Sequence, residues 1–212
     1  MLMSRAFPPK NRRTIKHNYD GIMIDAASQG NIDTVQLILD SGATDYDDAI
    51  DSAIDGGHIE IVKLLMDKGG NYNYYMAAAA CKGNMEIVQL MLGKGACDYN
   101  WAIENATYDG YIEIVKLMLD KGAEYLPINL AAGNGHIEIV KLFLETSKKD
   151  GKYHIDYNTA LEYAVMGENI DIVLLILDRG ANNYDEAIKR ARGGNADIIS
   201  LITLYKEGKN KL

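Results

Sequence analysis

Tryptophan occurs once in this chain, phenylalanine twice and cysteine twice, while tyrosine supplies 14 of the 17 aromatic residues. Cys81 and Cys97 both fall inside repeated segments, which excludes a disulfide-dense secreted scaffold and points to a reducing compartment. No apolar run approaches the roughly 18 residues that a membrane-spanning helix needs. Met1 to Asn11 also lack the apolar core of a secretory leader. The expectation is a soluble intracellular protein of the cytoplasm, with the nucleus as the alternative and no membrane partner. A glycine-rich phosphate loop and a Cys/His cluster of zinc-ligand spacing are also missing. His17 and His154 stand in expected loops without acidic or nucleophilic companions. These absences predict a non-enzyme with no catalytic residue, cofactor or metal.

Charge is unevenly placed. Residues 1–17 carry five cations (Arg5, Lys10, Arg12, Arg13, Lys16) and no acid. Taking those five from 22 leaves 17 basic against 30 acidic side chains in the remainder, a net of −13. Such a body repels phosphate backbones, which disfavours nucleic-acid binding by residues 18–212. The basic start is read as a solvated terminus, with a nuclear-import or nucleic-acid tail as the alternative.

What the chain does have is repetition. Gly57-His58-Ile59-Glu60-Ile61-Val62-Lys63-Leu64 returns with small changes at Gly83, Gly110 and Gly135, and more loosely at Gly30, Glu168 and Gly194. The seven copies are spaced by 27, 26, 27, 25, 33 and 26 residues. A period in this range means stacked units that cannot fold singly. The segments are residues 18–44, 45–71, 72–97, 98–123, 124–155, 156–182 and 183–208, a single solenoid domain at 18–208 with a tail at 209–212. Within residues 46–70, Asp47 is expected to cap a first helix, as Asp20, Asn73, Asn100, Asn158 and Asp185 would elsewhere. Gly56-Gly57 ends that helix, His58 opens a second, and Gly69 closes it after Lys68. In the second helix Glu60, Lys63 and Asp67 make a narrow polar stripe. The wide apolar remainder fits a helix packed against its partner and both neighbouring units. Ala49, Ile50 and Ala53 let the first helices approach closely.

These phrases resemble the ankyrin repeat, a unit of about 33 residues carrying Thr-Pro-Leu-His, Gly-His-x-x-Ile-Val and Gly-Ala markers. The Thr-Pro-Leu-His segment is largely replaced here, as by Asp48-Ala49-Ile50-Asp51. Most units are short where ankyrin proteins place a projecting finger, with Asp45-Tyr46-Asp47 or its equivalent instead. This short form resembles ankyrin families of giant, mimivirus-type DNA viruses. The resemblance implies an all-α ankyrin-like solenoid of helix–turn–helix repeats that grips protein partners on its concave helix face. A viral setting implies a host protein as the partner. A homodimer through the first repeat is an alternative, as is a structural or nucleic-acid-associated role for the basic terminus.

Tyr19, Tyr46, Tyr72, Tyr99, Tyr157 and Tyr184 are expected to form a ladder beneath the shortened loops, each ring covering the core while its hydroxyl reaches water. Residues 146–156 restore the longer spacing at one junction, as a lone finger or a tolerated insertion. His58 and His136 are expected as local turn or capping residues. The first-helix face predicts the binding site, because it differs between units. Its ends are hydrophilic and its middle is aromatic. Tyr74, Trp101, Glu104, Tyr108, Leu126, Glu162 and Met166 are the candidate partner-binding residues. Leu130 and Tyr163 are expected to pack between helices. Asp51, Glu104 and Glu162 make either a solvated stripe or an attractor for a basic or aromatic segment.

Overall fold

The computed structural model describes residues 12–44, 46–191, 193 and 195–209. These form fourteen helices, with no strand among the described residues. The helices pair in order: α1 (Arg12–Ser28) with α2 (Ile32–Asp40), α3 (Asp47–Asp55) with α4 (Ile59–Met66), and α5 (Tyr72–Cys81) with α6 (Met85–Gly93). Then come α7 (Tyr99–Asp109) with α8 (Ile112–Lys121), and α9 (Ile128–Gly133) with α10 (Ile137–Asp150). The last pairs are α11 (Tyr157–Met166) with α12 (Ile170–Asp178), and α13 (Tyr184–Arg190) with α14 (Ala196–Lys209). Helix α1 starts inside the basic segment 1–17, so Asp20 lies within a helix and caps nothing. Residues 1–11 of that segment and residues 210–212 of the tail lie outside the described residues.

The chain divides into two compact units, Met1–Tyr75 and Met76–Leu212, with the boundary inside α5. In the first, α1 packs on α2 and α3, α3 on α4, and α2 on α4. In the second, α7, α9, α11 and α13 pack in succession, and α6, α8, α10, α12 and α14 form a parallel row. Both rows follow from which side chains are greasy. Ile61, Val62, Leu65 and Met66 of α4 are buried, as are Ile114, Val115 and Met118 of α8. The small residues Ala102 and Ala106 flank the buried Ile103 on α7, and Ala160 and Ala164 do the same for Leu161 on α11. The polar stripe closes on itself. Lys63 meets Glu60 at 2.8 Å, Lys116 meets Glu113 at 2.7 Å and Lys141 meets Glu138 at 2.8 Å. Pairs this exposed contribute little to stability.

In α5, α7 and α11 the helix caps sit two residues earlier than the sequence suggested, and α3 follows Tyr46 with no side-chain cap from Asp47. Asp98 rather than Asn100 accepts the Trp101 N–H at 3.1 Å, Asp156 rather than Asn158 accepts the Thr159 N–H at 3.1 Å, and Asn71 rather than Asn73 accepts the Tyr74 N–H at 3.2 Å. The reason is that the Tyr between the two Asx residues is already helical in α5, α7, α11 and α13. Several of the later residues reach into the next repeat instead. Asn100 Oδ1 accepts the Glu124 N–H at 2.6 Å, and Asn158 Oδ1 accepts the Asn182 N–H at 2.9 Å. Asp47 Oδ1 accepts the Tyr75 hydroxyl at 2.6 Å, whereas Asp185 accepts Lys206 within its own repeat. The Asn100 and Asn158 bonds reach backbone in the shortened loops.

The turn residues also reach between repeats. His58 and His136 stand at the backbone cap position without a side-chain cap bond. Their Nε2 atoms lie 3.0 Å from the Ser28 carbonyl and 2.9 Å from the Tyr108 carbonyl. Asn169 Nδ2 donates to the Ala132 carbonyl at 2.9 Å. Gly110 makes room for the His136 contact. Its φ is +87°, and a Cβ there would stand 2.6 Å from the His136 ring.

The ladder tyrosines Tyr19, Tyr46, Tyr72, Tyr99, Tyr157 and Tyr184 are all half-buried. Tyr75, which sequence reasoning passed over, is the deeply buried one. Residues 146–150 lengthen α10 to 14 residues, and Gly151 caps it in the left-handed conformation. The insertion is therefore no β-hairpin finger. Tyr153 ties it down by donating to the Ala123 carbonyl at 2.8 Å, and Ile155 is buried.

Candidate functional site

The second compact unit carries two adjoining depressions on its first-helix face. One, of about 350 Å³, is lined by Trp101, Glu104, Asn105, Tyr108 and Leu130. The other, of about 430 Å³, is lined by Tyr108, Leu130, Gly133, Asn134, Tyr163, Met166 and Gly167. Tyr108 and Leu130 belong to both. Trp101, Glu104 and Tyr108 share one face of α7 because residues three and seven apart lie above one another. The Asp98 cap sets where that helix begins. Gly167 allows the end of α11 to approach α9, since a Cβ there would stand 2.0 Å from the Gly133 carbonyl oxygen.

Four of the seven expected residues, Trp101, Glu104, Tyr108 and Met166, line these depressions. Trp101 is 39% and Tyr108 57% exposed, although both are large and largely apolar. Leu126 is a correction. It is only 9% exposed, because it belongs to the lead-in to the shortened α9, where its carbonyl accepts the Ile128 N–H at 2.8 Å. Leu130 and Tyr163, expected as packing residues, line the depressions instead. The small Gly133 beneath Tyr163 was the signal available for this. Tyr74 lies in the first unit, where its hydroxyl donates to Asp51 Oδ2 at 2.7 Å.

The face acids are neither a plain solvated stripe nor free attractors. Each is bonded to the repeat that follows. Asp51 accepts from Tyr74, and Glu104 accepts from the Tyr125 hydroxyl. Glu162 accepts from Asn183 Nδ2 at 2.7 Å and faces Arg190 Nε at 3.3 Å. Burial, then the bond to Glu104, pushes the Tyr125 phenol well above its ordinary range. Burial likewise raises Asp51, helped by Asp48, Asp55 and Asp47, while the Tyr74 bond opposes the shift. Among the described residues no group of three or more His, Cys, Asp or Glu could hold a metal. No helix there is long and apolar enough to cross a membrane.

Paired helices stacked in register, with a turn glycine at each approach, define an ankyrin-repeat fold. Residues 103–187 match the family model described as ankyrin repeats (3 copies). Among solved structures, the chain is similar to the crystal structure of the human ASB11 ankyrin repeat domain. The likeness has a TM-score of 0.66 at 20% identity and covers 86% of this chain and 96% of that one. No curated protein matches the sequence significantly.

Proposed function

We propose that the protein is a non-catalytic interaction module that captures a protein partner on the first-helix face of residues 99–190, a host protein if the viral resemblance holds. One observation carries this. Trp101, Tyr108 and Tyr163 stand exposed together around two connected depressions. Aromatic anchors in a pocket, surrounded by polar groups, are the usual carriers of binding energy between proteins.

Pull-down from host-cell extract with the wild-type chain, the Trp101→Ala/Tyr108→Ala double variant and a deletion of residues 1–17 tests it. Capture should persist in the deletion and vanish in the double variant. Capture that survives the double variant overturns the proposal. Loss on deleting residues 1–17 would place recognition in the basic terminus.

A further inference from the structure

The larger depression is a gap in a repeating pattern. Two residues before the repeated turn phrase, the fourth, fifth and sixth repeats carry Tyr108, Gly133 and Met166. The middle repeat thus has no side chain where its neighbours have long ones, and a notch of about 430 Å³ opens there. Tyr163 also lines it, and a Cβ on Gly133 would stand 3.4 Å from Tyr163 Cδ1. Three helices end at the notch: α7 at Asp109, α9 at Gly133 and α11 at Met166. Their C-terminal ends carry partial negative charge. The Tyr108 and Gly133 carbonyls are already capped by His136 and Asn169, so these ends contribute field rather than free acceptors. Asn134 spends its Nδ2 on the Leu130 carbonyl at 3.1 Å, which leaves its amide oxygen able to accept. The Tyr108 and Tyr163 phenols add two more oxygens. No charged side chain is among the described residues lining the notch.

We infer that the notch between Tyr108 and Met166 seats an arginine side chain carried on a partner's polypeptide segment, which rests on the interaction module proposed above and names the chemistry of what it captures. The aliphatic stem lies along Leu130 and Met166. The planar guanidinium stacks on a tyrosine ring and turns its N–H groups to the phenol and amide oxygens. A volume of about 430 Å³ admits one long side chain with its backbone at the rim. Lysine fits less well, because a strongly hydrated ammonium needs a carboxylate that this lining does not offer. With 17 basic and 30 acidic groups, residues 18–212 attract a cationic segment from a distance. An acidic side chain would meet the negative ends of three helices, and a wholly apolar one would leave the oxygens unmatched.

The test is selection of displayed random dodecapeptides on the full chain, with the Gly133→Met chain used to remove peptides that do not need the notch. Gly133→Met fills the gap with the residue that the sixth repeat carries at the same register, so the melting temperature should be retained. Peptides that survive this removal should share an arginine. Replacing it with citrulline, which keeps the shape and loses the charge, should weaken binding at least about fivefold. Tyr163→Leu, which removes a ring from the lining, should cause a similar loss. The citrulline and Tyr163→Leu losses should not add, because they remove the same contact. Notch-dependent peptides that share no arginine, or that tolerate citrulline, overturn the inference and leave the interaction module standing. So do peptides lost on the Trp101→Ala/Tyr108→Ala chain but kept on Gly133→Met. Failure to select any peptide sensitive to either variant overturns both. The citrulline arm leaves the protein untouched, so it decides even if a variant chain misfolds.

Discussion

Asn158 Oδ1 accepts two successive backbone N–H groups of the next repeat, Asn182 at 2.9 Å and Asn183 at 3.3 Å. One side chain thereby closes a junction that a projecting loop closes in a longer repeat. Asn158→Ala should destabilise the chain by about 1–2 kcal/mol, the scale for stranding partly buried donors. Asn158→Asp, which keeps the acceptor, should recover most of that in urea denaturation. Equal losses for both variants would show that the bond contributes nothing.

Gly110 and His136 form a second joint between repeats. Gly110→Ala must hold a left-handed backbone, which alone costs roughly 1–2 kcal/mol, and must also displace the imidazole that stands 2.6 Å away. In a double-mutant cycle with His136→Ala, the combined loss should fall below the sum of the single losses. Strict additivity would mean that the ring never contacts that turn.

Thr107 is fully buried on α7, and its hydroxyl has no hydrogen-bond partner. Valine keeps the shape and removes the stranded oxygen. Thr107→Val should therefore raise stability by about 1 kcal/mol, seen as a higher melting temperature. A decrease would point to a partner for the hydroxyl, such as an ordered water.

Asp156 titrates below its ordinary value of 3.8 because it accepts bonds from the Thr159 hydroxyl and the Thr159 and Asn158 N–H groups. A depressed folded-state value means that the ionised form stabilises the fold above the unfolded-state value. That contribution is lost as pH falls through the folded-state value. The stability gap between wild type and Asp156→Ala should be full at neutral pH and narrow progressively below about pH 4. A gap that stays constant down to strong acid would refute an ionic cap.

The number and pairing of helices were legible because the repeated Gly-x-Ile-Glu-Ile-Val phrase places both a turn and a buried face. Ile61 and Val62 lie where that phrase puts them. The caps were not legible, because each Tyr stands between two Asx residues of the same chemistry. Which one caps depends on a helix start that shifts by two residues. The bonds from Tyr125 to Glu104 and from Asn183 to Glu162 join residues 21 positions apart, so only the stacked fold reveals them. Tyr74 and Tyr75 are adjacent in sequence. Successive helical residues diverge by about 100°, so one points outward and the other is buried. The six ladder tyrosines are half-buried, so Tyr99→Ala should cost less than the roughly 3 kcal/mol of a fully enclosed ring.

The junction bonds each tie a repeat only to its immediate successor, as Asn100 does with Glu124 and Asn158 with Asn182. Removing or duplicating one whole period by recombination would bring a donor and acceptor of the same kind together at the new seam. The array can therefore grow or shrink in evolution by complete units, and its recognition wall can be reshuffled without inventing a new way to join the pieces.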